Sequence, residues 1–372
     1  MDMRSGAKAD NFRHGGNVYA LARGKGGVLA ELLDYSANIN PLGLADSVQD
    51  AINQSIHNII HYPDADAYEL KRSISNFYNV EAARITMGNG AVELLYILCH
   101  ITKPGRVLIP APSFSEYERA SRAAGAKIQY YMLSAANGFV FDVEKISAEL
   151  DGADILFFGN PNNPTGTLIA RTEIAFMLRK AREYNTLVVV DESFMDFITD
   201  DSLYTSRSLL KEYPNLIIIH SLTKFYAIPG LRLGFALTAP DLAARLQAAK
   251  DPWNVNTLAQ AAGVAALADR DYQAKSKEIV NQAKKELFSG LTELPGCRPY
   301  PPAANYVLVN IEQTGITAAK LCSKMAERKI LIRDCSNYPG LSQDYIRVAV
   351  KLPATNKILL DTLRQVITGG AL

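Results

Sequence analysis

Between residues 46 and 250, short apolar runs alternate with amphipathic stretches of helical length. The apolar runs are residues 106–109, 127–132, 154–158, 187–190, 216–219 and 233–237. Two stretches, 91–101 before the first run and 173–184 between two later runs, have the apolar spacing of a helix. Strand and helix in alternation indicate a mainly parallel sheet that helices cover on both faces. We therefore predict a large α/β domain over residues 46–255.

The chain on either side of this region follows other patterns. Residues 1–45 are rich in Gly and Asn, which favour turns, and they predict an arm or lid. After Pro252 comes a long helical pattern over 257–291. Short strand patterns and a helical tail then follow at 306–309, 330–332, 346–350 and 355–367. These elements predict a smaller α+β domain over residues 256–372.

Composition narrows the possible functions. The 372 residues are 48% hydrophobic and 21% charged, which is typical of a globular protein with a large core. The formal net charge of +1 gives no sign of nucleic acid or an anionic membrane surface as partner. Partners are therefore expected to be small molecules or a second copy of the chain, and no metal site is predicted.

The cysteines and the apolar segments predict the cellular compartment. The four cysteines form no Cys-x-x-Cys pair and predict reduced, packed thiols. The first residues lack the apolar core of a signal peptide, and no apolar run is long enough to span a bilayer. We expect a cytoplasmic protein.

A polar cluster follows the apolar run 216–219, in the sequence HSLTKFYAIPGLRLG from His220 to Gly234. The carboxyl ends of strands are where open α/β sheets bind ligands. Lys224, among cationic neighbours in a partly dry site, would lose basicity and could form a Schiff base with an aldehyde. Arg232 beside the Ser221 hydroxyl suits a phosphate dianion. An aldehyde and a phosphate on one small molecule suggest pyridoxal 5′-phosphate.

Two other interpretations of this cluster stay open at this point. Lys224 could be a solvated loop lysine, which is the commoner case for a single lysine. Ser221 and Lys224 could instead be the Ser-x-x-Lys of a serine acyl-enzyme, although the accompanying Ser-Asp-Asn and Lys-Thr-Gly elements are absent from the sequence.

Two further strand ends carry polar residues that fit the same cofactor. Asn163 follows the run 154–158, and its amide could donate to a phenolate oxygen; a plain Asn-Pro turn is the alternative. Asp191 ends the run 187–190, where its carboxylate could keep a pyridine nitrogen protonated; a helix cap is the alternative. Three strand ends that suit three atoms of one molecule make coincidence much less plausible.

The motifs NPNNPTG, VVVDESF and SLTKFYAIPGLRLG, in this order and spacing, resemble those of fold-type I pyridoxal-phosphate enzymes of the aminotransferase class I/II group. The resemblance covers essentially the whole chain. It implies the fold-type I architecture, with a mainly parallel seven-stranded sheet in the large domain and a smaller α+β C-terminal domain. It also implies pyridoxal 5′-phosphate as the cofactor.

The resemblance assigns roles to the residues of the three motifs. It implies Lys224 as the Schiff-base lysine and Asp191 as the partner of the pyridine nitrogen. It further implies Asn163 at the ring hydroxyl oxygen, with Ser221 and Arg232 at the cofactor phosphate.

Other positions match the family outside those motifs. The turn Gly88, Asn89 and Gly90 precedes a helical pattern and matches a second phosphate-binding turn, since a helix N-terminus presents N–H groups to an anion. Phe114 matches the aromatic residue that stacks on the ring, with a simple core residue as the alternative. Tyr62 matches a tyrosine that reaches the phosphate of the neighbouring subunit, so the resemblance implies a homodimer.

The choice of reaction depends on how the substrate carboxylate is held, because the protein selects which bond at Cα breaks. Arg347 lies where the family binds that carboxylate, and Arg333 lies on a neighbouring predicted strand. Two arginines on adjacent strands suggest a dianionic substrate such as a phosphorylated amino acid.

The N-terminal sequence is similar to the opening of L-threonine-O-3-phosphate decarboxylases of cobalamin biosynthesis. The similarity covers His14, Asn17 and the segment that contains Asn38, and it implies that these residues bind substrate. Phe194, where many relatives carry a tyrosine, points the same way. The implied reaction converts L-threonine O-3-phosphate to (R)-1-amino-2-propanol O-2-phosphate. L-Serine O-phosphate, giving ethanolamine phosphate, is a possible variant substrate.

Two rival functions are weighed against this one. A histidinol-phosphate aminotransferase shares the fold and binds a phosphorylated amine, but would cleave the Cα–H bond. A non-catalytic cofactor-binding regulator is disfavoured by the intact Lys224 and Asp191 and by the lack of a helix-turn-helix extension.

Overall fold

We analysed a computed structural model of the chain, which describes residues 14–19, 23 and 31–369. The parts of the predicted arm at residues 1–13, 20–22 and 24–30 lie outside the described residues, as do residues 370–372 of the predicted small domain.

The strands of the described residues are numbered in chain order. They are β1 (Leu33–Asp34), β2 (Ile85–Asn89), β3 (Arg106–Ala111), β4 (Lys127–Met132), β5 (Ile155–Gly159), β6 (Leu187–Asp191), β7 (Leu216–Ser221), β8 (Leu233–Leu237), β9 (Arg298–Pro299), β10 (Tyr306–Asn310), β11 (Ile330–Leu331), β12 (Arg333–Asp334) and β13 (Tyr345–Ala349).

The α-helices that lie wholly within residues 31–369 are numbered in the same way. They are α1 (Asp46–Ser55), α2 (Tyr68–Tyr78), α3 (Ala91–Thr102), α4 (Ser115–Ala123), α5 (Val143–Ala148), α6 (Arg171–Glu183), α7 (Leu222–Phe225), α8 (Pro240–Ala249), α9 (Thr257–Ala268), α10 (Arg270–Thr292), α11 (Ala318–Glu327) and α12 (Pro353–Thr368).

A seven-stranded sheet in the order β2-β8-β7-β6-β5-β3-β4 forms the centre of the molecule. All neighbours pair in parallel except β8, which is antiparallel to both β7 and β2. This confirms the predicted mainly parallel seven-stranded sheet. Strand β2 had not been predicted, because its sequence ITMGN offers only two strongly apolar residues before the turn.

The central strands are buried on both faces, and alternate residues pack into different clusters. In β5, Leu156 and Phe158 pack on the side of α6, whereas Ile155 and Phe157 pack with α3 and α4 on the other side. Such strands read as continuous apolar runs, which is why the sequence pattern revealed them. Because β5, β6 and β7 are parallel neighbours, their carboxyl ends meet at one edge of the sheet.

A second, antiparallel sheet has the order β12-β13-β10-β9, and α10, α11 and α12 pack against it around their own apolar cluster. Strand β1 pairs in parallel with β11. Helix α9 packs on α1 and α2, on the side of the large sheet. The predicted division of the chain at residue 255 stays a prediction.

Within residues 14–19, 23 and 31–369, no helix combines the length and the apolar character needed to cross a membrane.

Candidate active site

Two connected cavities lie at the carboxyl edge of the large sheet. The inner cavity has a volume of about 100 Å³ and the outer cavity one of about 710 Å³. Both are lined by Val92, Phe114, Asn163, Phe194, Lys224 and Arg232. The three strand ends singled out in the sequence therefore contribute to one site.

Lys224 lies in the single-turn helix α7, directly after β7. Its backbone carbonyl accepts a hydrogen bond from the Asn40 N–H at 3.0 Å, and its Nζ donates to Thr223 Oγ1 at 3.3 Å. Burial and the charge of Arg232 lower the pKa of Lys224 to about 8, although Asp191 opposes the shift. The amine is therefore more nucleophilic near neutral pH than that of an ordinary lysine.

Asp191 is the last residue of β6, and its carboxylate is 9% exposed. Oδ2 accepts from the Tyr117 hydroxyl at 2.8 Å, and Oδ1 accepts from the Ser193 N–H at 2.9 Å. Two donors on two oxygens fix the carboxylate plane at the wall of the inner cavity. A buried carboxylate held in this way suits a protonated ring nitrogen.

The N-terminus of α3 and the loop after β7 form an anion cradle. Gly90 caps α3 with φ +80°, and a Cβ at this position would collide with Arg232 Nη2. A Cβ at Gly234 would lie 2.5 Å from the Ala91 nitrogen, so both glycines permit a close approach. Ser221 lines the inner cavity. A helix N-terminus with a guanidinium and a hydroxyl suits a phosphate.

Not every residue of the predicted phosphate-binding turn reaches this cradle. Gly88, Asn89 and Gly90 are all absent from the lining of the two cavities, but Gly90 lies against Arg232, which lines both, whereas Gly88 and Asn89 end β2. The Asn89 N–H instead donates to Glu93 Oε2 at 2.6 Å. Thr223, which the sequence reasoning missed, lines the inner cavity and lies 2.7 Å from Ser221 Oγ.

Asn163 and Phe114 lie on opposite loops of the site. Arg347 Nη1 donates to Asn163 Oδ1, and since a guanidinium only donates, the Asn163 amide nitrogen is left as a donor for a ring oxygen. Phe114 precedes α4 and lines both cavities, with its ring edge-on to Tyr117 at 5.6 Å. Both positions are compatible with the predicted roles.

Arg333 and Arg347 lie opposite each other on β12 and β13, as the sequence predicted for adjacent strands. They are 7% and 5% exposed and line the outer cavity. Arg347 Nη2 donates to the Ser36 carbonyl at 2.9 Å, whereas the buried Arg347 Nε has no hydrogen-bond partner among the residues that the structure describes. Arg333 donates to Asn337 Oδ1 at 2.7 Å. This wall of the cavity suits anionic groups.

The segment that begins at His14 closes one side of the outer cavity. His14 Nε2 lies 2.6 Å from Glu116 Oε1. Burial alone would raise the pKa of Glu116, but the hydrogen bond with His14 and the charge of Arg119 hold it below its usual value. A Cβ at Gly15 would collide with the Ser36 carbonyl, so a glycine is needed there.

The two other N-terminal candidates differ in position. Asn38 is 4% exposed and lines the outer cavity, and its Oδ1 has no hydrogen-bond partner within the described part of the chain. Asn17 is exposed and is not among the residues that line the cavities.

Tyr62 lies outside both cavities. It is 77% exposed and stacks on Trp253, with ring centroids 4.4 Å apart. Its predicted role requires a second copy of the chain and stays a prediction.

Tyr117 was also missed by the sequence reasoning. It lies 74 residues before Asp191, and the only sequence signal is its position one helical turn after Phe114.

Comparisons with known proteins show the family to which this chain belongs. The model of the family "Aminotransferase class I and II" matches residues 30–363. Threonine-phosphate decarboxylase of Salmonella typhimurium is 38% identical over 97% of this chain and 98% of its own length.

Two solved structures have the same fold. Histidinol-phosphate aminotransferase from Clostridium acetobutylicum is 34% identical, with a TM-score of 0.85 over 91% of this chain and 100% of that chain. L-Threonine-O-3-phosphate decarboxylase from Porphyromonas gingivalis is 28% identical, with a TM-score of 0.82 over the same shares. These matches confirm the resemblance seen in the sequence, and the chain belongs to the aminotransferase class I and II family.

Proposed function

We propose that this protein is a pyridoxal-phosphate-dependent decarboxylase that converts L-threonine O-3-phosphate to (R)-1-amino-2-propanol O-2-phosphate in cobalamin biosynthesis. The observation that carries the proposal is the meeting of Lys224, Asp191 and the arginine pair Arg333 and Arg347 around one connected cavity. The name and the 38% identity of the Salmonella relative support the same reaction.

The residues of the inner cavity fit pyridoxal 5′-phosphate. The cradle of Gly90, Ser221 and Arg232 suits its phosphate, Asp191 suits its ring nitrogen, and the Asn163 amide suits its ring oxygen. When bound, this cofactor supplies an electron sink for the electrons of the broken bond. Phe194 cannot donate a hydrogen bond to the ring oxygen, so Asn163 carries that role in this chain.

The protein's own groups then choose the bond and move the proton. Arg347 would hold the substrate carboxylate, and the position of that carboxylate decides whether the bond to CO₂ aligns for cleavage. With a pKa of about 8, Lys224 Nζ can both hold and release a proton near neutral pH, which suits protonation at Cα. Asp191 keeps the ring nitrogen protonated because a buried carboxylate favours a nearby positive charge.

The outer cavity suits a second anionic group on the substrate. Arg333, His14 and Asn38 line it, and we propose that they bind the substrate phosphate together with Asn17. One methyl group separates threonine phosphate from serine phosphate and is worth only about 1–3 kcal/mol in a pocket. Serine phosphate is therefore proposed as a slower, alternative substrate.

Histidinol-phosphate aminotransferase is the second candidate function. The Clostridium acetobutylicum structure of that name, at 34% identity and a TM-score of 0.85, favours it. The greater identity and coverage of the Salmonella decarboxylase favour decarboxylation.

CO₂ release by the cofactor-loaded protein tests the proposal. Purified protein is given L-threonine phosphate or L-serine phosphate with no keto acid present. Release from either compound supports decarboxylation, and the ratio of rates identifies the preferred substrate. No release, with glutamate consumed when imidazole-acetol phosphate is the acceptor, would make the protein the aminotransferase instead.

We also propose a homodimer in which Tyr62 reaches the cofactor phosphate of the partner. Exposed apolar side chains around Tyr62 support this, namely Ile56, Ile59, Ile60, Tyr68 and Trp253. Mixing inactive Lys224→Ala chains with inactive Tyr62→Ala chains should restore part of the activity, because one site of a mixed dimer then has both residues. No recovery after subunit exchange would count against a shared site.

We propose a cytoplasmic location and a domain boundary at residue 255, as the sequence predicts. The four cysteines are free thiols, which supports a reducing, cytoplasmic compartment. Cell fractionation would test the location, and limited proteolysis near residue 255 would test the boundary.

A further inference from the structure

Two buried tyrosines each donate a hydrogen bond to a buried aspartate, but only one pair lies at the cavity. The Tyr117 hydroxyl lies 2.8 Å from Asp191 Oδ2, at the wall of the inner cavity. The Tyr78 hydroxyl lies 3.0 Å from Asp196 Oδ2, and neither of these residues lines the two cavities. The same tyrosine–aspartate hydrogen bond thus occurs at the proposed ring-nitrogen site and at a second place, away from the cavities.

We propose that Tyr117 is a positioning residue, which sets both the orientation and the basicity of the Asp191 carboxylate that faces the cofactor's ring nitrogen. The inference rests on the proposed cofactor but not on the proposed substrate.

The orientation argument starts from the two donors on Asp191. The Ser193 N–H reaches Oδ1 through the backbone turn that follows β6, so this contact is fixed by the chain itself. Tyr117 supplies the other contact from α4, a separate element. Together the two contacts leave the outward lone pairs of the carboxylate directed at the cavity. Without Tyr117, the Oδ2 side of the carboxylate would lose its hydrogen-bonded support.

Tyr117 itself is held in one place. Its side chain is 2% exposed, and its ring stacks on Phe157 with centroids 5.5 Å apart and an interplanar angle of 7°. The edge-on contact with Phe114 fixes another side. Gly159 leaves room for the hydroxyl, since a Cβ there would lie 3.3 Å from Tyr117 Oη. Aromatic packing of this kind costs little entropy to maintain and fixes the hydroxyl direction.

The basicity argument concerns the proton between carboxylate and ring nitrogen. Burial and the charge of Asp191 raise the pKa of Tyr117 well above its usual value, so the hydroxyl stays protonated and acts as a donor. A donor to a carboxylate stabilises its charged form and makes it a weaker base. The shared proton then stays on the nitrogen. Loss of the hydroxyl should move this proton toward Asp191.

The test compares Tyr117→Phe with Tyr78→Phe, because each change removes a buried hydroxyl from a carboxylate and keeps the ring. Both proteins are loaded with pyridoxal 5′-phosphate labelled with ¹⁵N in the ring. Tyr117→Phe should move the ¹⁵N chemical shift toward that of an unprotonated pyridine and weaken cofactor binding by about tenfold, as expected for one hydrogen bond to a charged group. Tyr78→Phe should lower the melting temperature but leave the ¹⁵N shift at the wild-type value.

A fluorinated variant distinguishes the hydrogen-bonding role of the Tyr117 hydroxyl from a packing effect. Replacing Tyr117 by 3-fluorotyrosine keeps the shape but makes the hydroxyl a stronger donor, so the ¹⁵N shift should move in the opposite direction to that of Tyr117→Phe. Identical ¹⁵N shifts in wild type, Tyr117→Phe and the fluorinated protein would overturn the proposal. An equal change in Tyr78→Phe would also overturn it.

The outcome of the ¹⁵N comparison does not depend on which substrate the enzyme uses. If the wild-type protein binds the cofactor but releases no CO₂ from threonine phosphate, the ¹⁵N comparison still decides the role of Tyr117. If the wild-type protein binds no pyridoxal 5′-phosphate, both this inference and the proposed function are wrong.

Discussion

At the carboxyl ends of strands β6 and β7, neighbouring residues belong to two different regions of the molecule. Asp191 and Ser221 face the inner cavity, whereas the adjacent Glu192 and His220 are fully buried away from it. The second region, which we call the buried charge cluster, consists of Tyr78, Glu192, Asp196, Arg207 and His220. The comparison shows what distinguishes a binding site from a structural core made of the same residue types.

In the buried charge cluster, the carboxylates of Glu192 and Asp196 accept hydrogen bonds from other residues of the protein. Glu192 accepts from the Thr205 hydroxyl at 2.8 Å and from the Ser206 N–H at 2.6 Å. Asp196 accepts from Tyr78 and lies 3.5 Å from His220 Nε2. Burial would raise the pKa of Asp196, but His220 and Arg207 hold it below its usual value.

The cavities differ from the cluster in the charges of the side chains that line them. Lys224, Arg232, Arg333 and Arg347 line them, and the charge of Arg232 helps to lower the pKa of Lys224. Cations that disfavour one another in this way are stabilised when an anionic ligand enters. The carboxylates of the cluster are thus held by donors of the protein itself, whereas the cations of the cavities are placed to receive a ligand.

Replacing Lys224 should have the largest effect of the changes considered. Lys224→Ala removes the reactive amine, so CO₂ release should fall by about 10³-fold or more and the absorbance of the imine between Lys224 and the cofactor should disappear. Lys284→Ala is the matched control, since burial lowers the pKa of Lys284 to about 8 as well, but its Nζ donates to the Ala303 carbonyl outside the cavities. Activity retained in Lys224→Ala would refute the central assignment.

Replacing Asp191 should mainly lower activity, whereas replacing Asp196 should mainly lower stability. Asp191→Asn removes the charge at the proposed ring-nitrogen site, so kcat/KM should fall by about 10²–10³-fold. Asp196→Asn removes the charged acceptor of the buried Tyr78 hydroxyl, which should cost about 1–3 kcal/mol of folding free energy. Denaturant titration and steady-state kinetics measure both. If Asp196→Asn, at a temperature where it is folded, lost as much activity as Asp191→Asn, the contrast between the regions would fail.

A smaller effect is expected at the anion cradle. Gly90→Ala places a Cβ against Arg232 and should weaken cofactor binding by about tenfold or more, since 1.4 kcal/mol corresponds to a factor of ten. Gly138→Ala is the control, because Gly138 also has a positive φ, +73°, but nothing lies within 4 Å of its added Cβ. The backbone cost is larger for Gly90→Ala, because φ +80° with ψ 156° is a conformation almost confined to glycine, whereas Gly138 at φ +73° and ψ 24° is in the left-handed helical region. Equal cofactor affinity in the two variants would mean that the contact with Arg232 is unimportant.

The smallest effect is expected for the contribution of Arg232 to the pKa of Lys224, which the pH dependence of cofactor capture measures. Only the free amine reacts, so the capture rate of cofactor-free protein should rise about tenfold per pH unit and level off above the Lys224 pKa of about 8. An ordinary lysine would show a rise that continues toward pH 10.5. With pyridoxal, which lacks the phosphate, Arg232→Gln should move the plateau to higher pH. A plateau that stays in place would show that Arg232 does not lower this pKa.

Much of the fold could be predicted because the strands β3 to β8 are short, mainly apolar runs that alternate with helical patterns. Strand β2 could not, since its assignment depends on pairing with β8 and not on its own composition. Among the site residues, Lys224, Asp191 and Asn163 follow strands or lie in recognisable motifs. Tyr117 carried no comparable signal, because its partner Asp191 is remote in the chain.

The sequence by itself determined the family, the alternation of strands and helices, and the groups that suit a phosphate, a ring nitrogen and an aldehyde. These are properties of local pattern and residue chemistry. Only the tertiary structure decided that Arg347 holds the Asn163 amide and that Tyr117 holds Asp191. It also placed the similar residues of the buried charge cluster away from the cavities. Hydrogen-bond partners remote in the chain are set by how elements pack, and adjacent residues of a strand face opposite sides of the sheet.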